Sequence, residues 1–285
     1  MLAHVAKFFH PTTVEEACSL LAATDRKNVA LAGGTHLAVI DDSGIEGLVD
    51  LKGLKLTHQR RENGRLTIGA MNPIEDIKTS PLLTGPGGHL VRAAAAAIGS
   101  TPLRHAITAG GNIVAAFPWS DLPPALLALD AEVVLRRGRS ERVLPIAKLF
   151  ETRPSDALSS DELLTEIRFA EFAAGTGTAF HKVAKTKNDY ALITIAVRLT
   201  LKDDQIAEAR IALNGLTRRP CRIAAVEEAL VGKKPSKEVL AEAAAKVGEG
   251  LEMTVDFRAS REYREEVLPV YIRRCLEEAA TMASK

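Results

Sequence analysis

The heptapeptide Leu31-Ala32-Gly33-Gly34-Thr35-His36-Leu37 places two adjacent glycines directly after an apolar run at residues 29–32 that predicts a short strand. Glycine has no Cβ and accepts positive φ, so a strand that ends in paired glycines can bring backbone N–H groups close to an oxyanion. Thr35 adds a hydroxyl donor. The segment fits neither G-x-G-x-x-G nor G-x-x-x-x-G-K-[ST]. On its own it predicts either a phosphate-binding loop or an ordinary tight turn.

A second glycine pair lies in the segment Thr108-Ala109-Gly110-Gly111-Asn112, which also adjoins apolar residues. This segment repeats the chemistry of the first, with a hydroxyl before the glycines and a side-chain amide after them, and it predicts a second glycine turn. A dinucleotide carries two phosphates. Two such turns therefore favour a site in which a pyrophosphate is held between two loops.

A proline-bounded loop, Phe117-Pro118-Trp119-Ser120-Asp121-Leu122-Pro123-Pro124, follows the second glycine segment. It contains the only tryptophan of the chain and places a carboxylate directly before a predicted helix. Because aspartate is favoured at the N-cap of a helix, Asp121 is predicted to cap this helix, to contact a ligand, or to do both.

Hydrophobic periodicity and turn residues predict a mixed α/β order along the chain. The predicted helices cover residues 12–23, 73–77, 89–98, 123–129, 223–231, 237–247 and 261–282. The predicted strands cover residues 29–32, 47–51, 66–70, 131–136, 142–145, 191–201 and 206–213. The stretch at 172–179 is rich in small residues and predicts a flexible domain boundary. Beyond it the sequence predicts a smaller unit of one strand pair with helices.

Composition and charge exclude several classes of function. The 285 residues include 37 Lys and Arg against 36 Asp and Glu, which argues against binding nucleic acid or an anionic membrane. No apolar run is long enough for a membrane span, and the first residues do not predict a signal peptide. Cys18, Cys221 and Cys275 share no C-x-x-C spacing, so a cysteine-ligated metal is not predicted. A reducing, cytoplasmic location and an organic redox cofactor are therefore expected.

Several of these segments, taken in order, resemble the FAD-binding subunit of molybdenum hydroxylases. This family includes the medium subunit of carbon monoxide dehydrogenase and the flavin domain of xanthine dehydrogenase. The resemblance covers nearly the whole chain and rests on both glycine segments and on their surroundings. The further matching segments are Phe9-His10-Pro11-Thr12-Thr13-Val14-Glu15-Glu16-Ala17, Ile68-Gly69-Ala70, Asp121-Leu122-Pro123-Pro124-Ala125-Leu126, Asp256-Phe257-Arg258-Ala259-Ser260, Tyr263-Arg264 and the terminal helix.

The resemblance implies an α+β fold of two domains. The first, at residues 1–172, would be a vanillyl-alcohol-oxidase (PCMH)-type FAD-binding domain with subdomains at 1–55 and 56–172. The second, at residues 178–285, would be a small α/β domain of the CO dehydrogenase flavoprotein type that closes over the isoalloxazine. No cysteine lies near either glycine segment, so the FAD is expected to be bound non-covalently.

The resemblance also implies which residues contact FAD, and it implies no catalytic or metal-ligating residue in this chain. The implied contacts are Ala32, Gly33, Gly34, Thr35, His36, Leu37, Ile98, Thr108, Ala109, Gly110, Gly111, Asn112, Asp121, Leu163, Lys182 and Tyr190. A cation at Lys182 would stabilise negative charge on the reduced isoalloxazine. From the sequence alone, Leu163 is equally a strand-core residue, Lys182 a solvated lysine and Tyr190 a core tyrosine.

Three positions depart from the pattern of this family. His36 replaces an acidic or small polar residue, and it is expected either to hydrogen-bond a phosphate or to be a bystander. Ala109 replaces a bulkier aliphatic residue, which predicts a packing change. Trp119 stands where small residues are common, so the loop beside the flavin or a partner is bulkier in this chain.

The resemblance implies an electron-transfer subunit. Substrate would be hydroxylated at molybdenum in a large molybdopterin-binding partner, and electrons would pass through the [2Fe–2S] clusters of a small partner to FAD and then to an external acceptor. The expected assembly is a dimer of heterotrimers. Two alternatives stay open: a nucleotide-binding structural or assembly protein of the same fold without flavin turnover, and a stand-alone flavin oxidoreductase.

Overall fold

A computed structural model describes residues 5–40 and 44–285 of the chain, and residues 1–4 and 41–43 of the first predicted domain lie outside this description. The first part is a three-stranded parallel sheet in the order β1-β3-β2. Thr13 caps its helix, because the Thr13 hydroxyl accepts the Glu16 N–H at 3.1 Å. The elements are β1 (Lys7–Phe9), α1 (Val14–Leu21), β2 (Asn28–Leu31) and β3 (Gly47–Asp50). The predicted helix and both predicted strands are confirmed, with small shifts at their ends.

The second part is a five-stranded antiparallel sheet covered by short helices, in the order β4-β5-β8-β6-β7. Its strands are β4 (Gln59–Glu62), β5 (Arg65–Gly69), β6 (Glu132–Arg137), β7 (Ser140–Pro145) and β8 (Leu163–Ala170). Its helices are α2 (Ile74–Lys78), α3 (Gly85–Ala97), α4 (Thr101–Ala106), α5 (Ala109–Ala115), α6 (Leu122–Ala128), α7 (Ile146–Leu149) and α8 (Pro154–Ala157). The largest apolar core of the N-terminal part lies between this sheet and α2, α3 and α6.

The C-terminal part contains a four-stranded antiparallel sheet, where the sequence predicted only one strand pair. The sheet order is β12-β11-β10-β9. Its elements are β9 (Thr176–Val183), β10 (Ile193–Lys202), β11 (Gln205–Asn214), β12 (Cys221–Arg222), α9 (Ala224–Leu230), α10 (Lys237–Ala245) and α11 (Arg261–Ala283). The prediction of a flexible break through residue 179 is wrong. A Cβ on Gly177 would lie 1.9 Å from the Ala279 carbonyl oxygen, so the small residues of β9 allow α11 to pack closely.

The N- and C-terminal parts pack against each other through helices of the first and strands of the second. Helix α3 lies on β9, and α6 lies on β10 and β11. Small residues let α3 pack closely, since Ala94 and Ala95 are fully buried. No helix among the described residues is long and apolar enough to cross a membrane.

Candidate functional site

The first glycine segment leaves β2 and lies against the end of α4. A Cβ atom on Gly33 would be 1.7 Å from the Ala106 carbonyl oxygen, so a larger residue fits only if the backbone moves. Gly34 is required for another reason, because its φ is +73°, a conformation that other residues rarely adopt. This packing places the first glycine pair beside the residues that lead into the second.

The backbone donors of the first segment are available to a ligand. Within the described part of the chain, none of the five N–H groups from Gly33 to Leu37 donates a hydrogen bond, and the Thr35 hydroxyl has no partner either. The next N–H, that of Ala38, donates to the Gly34 carbonyl at 2.9 Å. Consecutive N–H groups in a glycine turn are suited to binding an anion. The segment therefore fits the phosphates of FAD.

The second glycine segment is the first turn of α5, so the prediction of a second glycine turn is wrong. Thr108 caps the helix, and its hydroxyl accepts the Gly111 N–H at 3.2 Å. The Ala109 and Gly110 N–H groups donate to the carbonyls of Asn72 and Ala70 at 2.9 and 2.8 Å, and the Asn112 N–H donates to the Thr108 carbonyl. All four donors are thus used within the protein.

The second segment offers an acceptor instead. Asn112 Oδ1 is buried and has no hydrogen-bond partner among the described residues. A buried amide oxygen without a donor is costly, which indicates a missing partner. FAD carries hydroxyl groups on its ribose and ribityl chains as well as phosphates. Free donors at Gly33 to Leu37 and a free acceptor at Asn112 together fit a molecule with both kinds of group.

Asp121 occupies the N-cap position of α6, but its side chain makes no capping hydrogen bond, so the capping alternative is wrong. Its carboxylate is 2% exposed and accepts hydrogen bonds from the Lys182 ammonium at 3.1 Å and the Thr194 hydroxyl at 2.8 Å. Burial raises the pKa of Asp121 to about 6, against the opposing effects of Lys182 and Thr194. Lys182 Nζ also donates to the Ala97 carbonyl at 2.8 Å. The alternative of a solvated surface lysine is therefore wrong.

A polar row across the C-terminal sheet holds this region in place. Lys182, Thr194 and Asn214 are direct neighbours on β9, β10 and β11, and all three bind groups of the N-terminal part. Asn214 Nδ2 donates to the carbonyls of Phe117 and Ser120 at 2.9 and 3.0 Å. Sequence reasoning missed Thr194 and Asn214. The available signal was a polar residue within or at the end of an otherwise apolar strand.

A row of aromatic rings runs from the first glycine segment to Tyr190. The His36 and Phe117 ring centroids are 5.0 Å apart, and Phe117 stacks on Trp119 at 4.9 Å with an interplanar angle of 7°. Trp119 contacts Tyr190 at 4.8 Å. Partial burial lowers the pKa of His36. Tyr190 is 59% exposed, which rules out the core tyrosine considered from the sequence.

The two apolar residues of the predicted site are buried in different clusters. Ile98 ends α3, directly after the carbonyl that binds Lys182, and belongs to the main core. Leu163 belongs to a smaller cluster against which Ala32 packs. Leu163 thus has the strand-core surroundings expected from the sequence and also supports the first glycine segment. An open cavity of about 630 Å³ lies elsewhere, beside His89 and α11, and contains none of the predicted site residues.

Comparison with known families divides the chain into two matching regions. Residues 4–170 match the family described as the FAD binding domain in molybdopterin dehydrogenase. Residues 178–279 match the CO dehydrogenase flavoprotein C-terminal domain.

Individual relatives resemble the chain over almost its full length. The medium chain of carbon monoxide dehydrogenase from Hydrogenophaga pseudoflava is 28% identical over 277 residues, which are 96% of each chain. The FAD-subunit of nicotinate dehydrogenase from Eubacterium barkeri is 31% identical over 245 residues, 82% of each chain. A solved structure of the Hydrogenophaga pseudoflava carbon monoxide dehydrogenase, lacking the Mo-pyranopterin moiety of its molybdenum cofactor, matches with a TM-score of 0.92 at 29% identity and covers 99% of both chains. The resemblance and fold class inferred from the sequence are confirmed.

Proposed function

The chain belongs to the family of FAD-binding domains of molybdopterin dehydrogenases, and we propose on this premise that it is an electron-transfer subunit. It would take electrons from the [2Fe–2S] clusters of a small partner subunit and pass them to an external acceptor. Substrate would be oxidised at molybdenum in a large partner subunit. The relatives named as a medium chain and as an FAD-subunit support an assembly of several chains. A cytoplasmic location and a dimer of heterotrimers remain predictions.

The observation that carries this proposal is the set of five unpaired N–H groups from Gly33 to Leu37. These groups and the Thr35 hydroxyl would bind the pyrophosphate of FAD. The residues from Thr108 to Asn112 would take part mainly through Asn112 Oδ1 and the exposed surface of Gly111, because their other donors are occupied. Ile98 and Leu163 would supply apolar contacts.

FAD supplies reversible two-electron chemistry when it is bound. The chain's own contribution would be charge and orientation. Lys182 is fixed by two acceptors, the Ala97 carbonyl and Asp121, so its positive charge has a defined position. This charge would stabilise the negative charge of the reduced ring, as expected from the family. Asp121, raised in pKa and held by Thr194, would keep the lysine in place without fully neutralising it at acidic pH.

Reconstitution with FAD tests the cofactor assignment. The purified chain, mixed with FAD and freed of excess, should be yellow with absorbance near ~450 nm. Thr35→Val should weaken binding, whereas Thr281→Val, which alters an exposed threonine of α11 bonded to the Glu277 carbonyl, should not. A colourless chain that takes up no FAD would contradict the proposal.

Isolation of the native assembly tests the electron-transfer role. The chain should co-purify with molybdenum- and iron-containing partners, and substrate of the complex should bleach the flavin absorbance. Substrate-driven bleaching of the isolated chain would instead favour a stand-alone oxidoreductase. A chain that binds FAD but is never reduced in the complex would favour a structural role.

A further inference from the structure

The motif Asp256-Phe257-Arg258-Ala259-Ser260 has no role in the proposed FAD contacts, yet its Asp256 and Arg258 form a partly buried ionic cluster with Arg264. Asp256 accepts hydrogen bonds from Arg258 Nε at 3.0 Å and from Arg264 Nη2 at 2.8 Å. Arg258 is 9% exposed and Arg264 fully buried. The two guanidinium groups hold the pKa of the Asp256 carboxyl below its usual value. The cluster is thus charged and held by charge-assisted hydrogen bonds, in which Arg258 donates from two nitrogens to one Asp256 oxygen and Arg264 donates to the other.

The two arginines have different targets beyond Asp256. Arg264 Nη1 donates to the Leu192 and Gly215 carbonyls at 2.9 and 2.7 Å, which ties two loops of the C-terminal sheet together. Arg258 Nη1 donates to the Ala191 carbonyl, adjacent to Tyr190. The Arg258 guanidinium carbon also lies 5.3 Å from the centroid of the Trp119 ring. Arg258 therefore contacts both the residue that follows Tyr190 and the ring that Tyr190 touches.

These contacts come from opposite sides of the interface between the two parts of the chain. Trp119 belongs to the N-terminal part, whereas Tyr190 and Arg258 belong to the C-terminal part. The Trp119 and Tyr190 rings are 4.8 Å apart although Tyr190 is more than half exposed. An exposed ring pair is weakly held by its own contact. A cation over the indole face and a charge-assisted hydrogen bond beside the tyrosine add to that contact.

We propose that Arg258 is a positioning residue that holds Trp119 and Tyr190 together as a fixed aromatic wall. The position of this wall beside the flavin rests on the proposed function. The contact between the two rings does not depend on it. Without Arg258 the two rings separate, and Tyr190 is no longer presented in one orientation to the cofactor. The Trp119 ring supplies the surface on which Arg258 acts.

The single tryptophan makes the wall directly measurable in the FAD-free chain. Arg258→Gln removes the cation and is expected to raise the population with separated rings about tenfold, seen as stronger acrylamide quenching of Trp119 fluorescence. Arg258→Lys keeps the charge, but an ammonium group cannot reproduce the planar set of guanidinium hydrogen bonds, so quenching of Trp119 should be intermediate. The control is Arg261→Gln, because Arg261 is close in sequence but bonds to the Met253 carbonyl and to Glu265. This substitution should leave the quenching of Trp119 unchanged. Equal quenching in all four proteins would overturn the proposal.

A double-mutant cycle separates positioning from a general loss of structure. Tyr190→Ala alone should increase quenching of Trp119, and in the Arg258→Gln background it should add little, because the rings are already apart. If the increases in quenching caused by the two substitutions are additive, the proposal is overturned. It is also overturned if Tyr190→Ala by itself leaves the quenching of Trp119 unchanged. Should Arg258→Gln fail to fold, the same cycle is run with Arg258→Lys. In FAD-loaded protein, Arg258→Gln should reduce the quenching of Trp119 fluorescence by FAD while FAD still binds. If the wild type binds no FAD, the proposed function is contradicted, but the test on the FAD-free chain still applies.

Discussion

In the first glycine segment the N–H groups from Gly33 to Leu37 have no protein partner among the described residues, whereas in the second the four from Ala109 to Asn112 are all bonded. Both segments contain paired glycines and a threonine. In the first, Gly33 lets one backbone approach another and Gly34 turns the chain. In the second, the glycines lie in a capped helix whose donors meet the carbonyls of Asn72 and Ala70. Paired glycines therefore identify a close approach, and the partners of their N–H groups decide whether a ligand can bind there.

Gly33→Ala is expected to have the largest effect, because it disrupts the contact that aligns the two segments. The new methyl group would overlap the Ala106 carbonyl, and relieving that overlap is expected to cost about 3 kcal/mol of the free energy of unfolding. FAD affinity should fall as well, since the free N–H groups move with Gly33. Urea unfolding and FAD titration measure the two effects. If Gly33→Ala were as stable as the wild type, the first glycine segment would not pack against α4 as described.

Asp121→Asn tests the buried carboxyl that follows the second segment in the sequence, through the pH dependence of the free energy of unfolding. The folded-state pKa of about 6 exceeds the usual value of 3.8, so the carboxyl stabilises the fold below pH 3.8 and loses this contribution as pH rises through 6. The loss corresponds to about 3 kcal/mol. The stability of the wild type relative to Asp121→Asn should therefore decrease over this range, measured by urea unfolding at each pH. Parallel pH profiles of the two proteins would contradict the assignment.

Substituting the threonine of each segment compares the two directly. Thr108→Val removes the cap of α5 and should lower the free energy of unfolding by about 1 kcal/mol. Thr35→Val removes no protein hydrogen bond, so stability should be nearly unchanged while FAD affinity falls about tenfold, through loss of one hydrogen bond to a charged phosphate. Unfolding and FAD titration of both variants provide the test. A loss of stability in Thr35→Val equal to that in Thr108→Val would remove the distinction between the segments.

Gly34→Ala should have a small effect on stability and is matched by Gly138, in the turn between β6 and β7 and outside the proposed FAD contacts. Gly34 and Gly138 have φ values of +73° and +55° and room for a Cβ, the nearest atom to that of Gly34 being Leu31 Cδ1 at 3.4 Å. Each alanine is expected to cost about 1 kcal/mol of backbone strain. Only Gly34→Ala should also weaken FAD binding. Equal FAD affinities of the two variants would show that the orientation of the first segment is unimportant for the cofactor.

Much of the local structure could be predicted, because it depends on neighbours in the sequence. The helix predicted at residues 12–23 forms as α1, and the apolar runs at 29–32 and 47–51 form strands, as the patterns indicated. Strand β9 was missed because its small residues are explained only by α11, which packs over Gly177 from far along the chain. The family resemblance was carried by several segments in order and was confirmed by the comparisons.

Prediction of the candidate site has the same limit, because it also depends on contacts between residues far apart in the sequence. The sequence alone located both glycine segments, Asp121 and the family that joins them to Lys182, because residue types and their order carry that information. Only the tertiary structure decided that Asp121 binds Lys182 and Thr194 instead of capping α6, and that the donors of the second segment are occupied. The physical reason is that a hydrogen-bond donor is free or occupied according to which distant carbonyl or side chain the fold brings within reach.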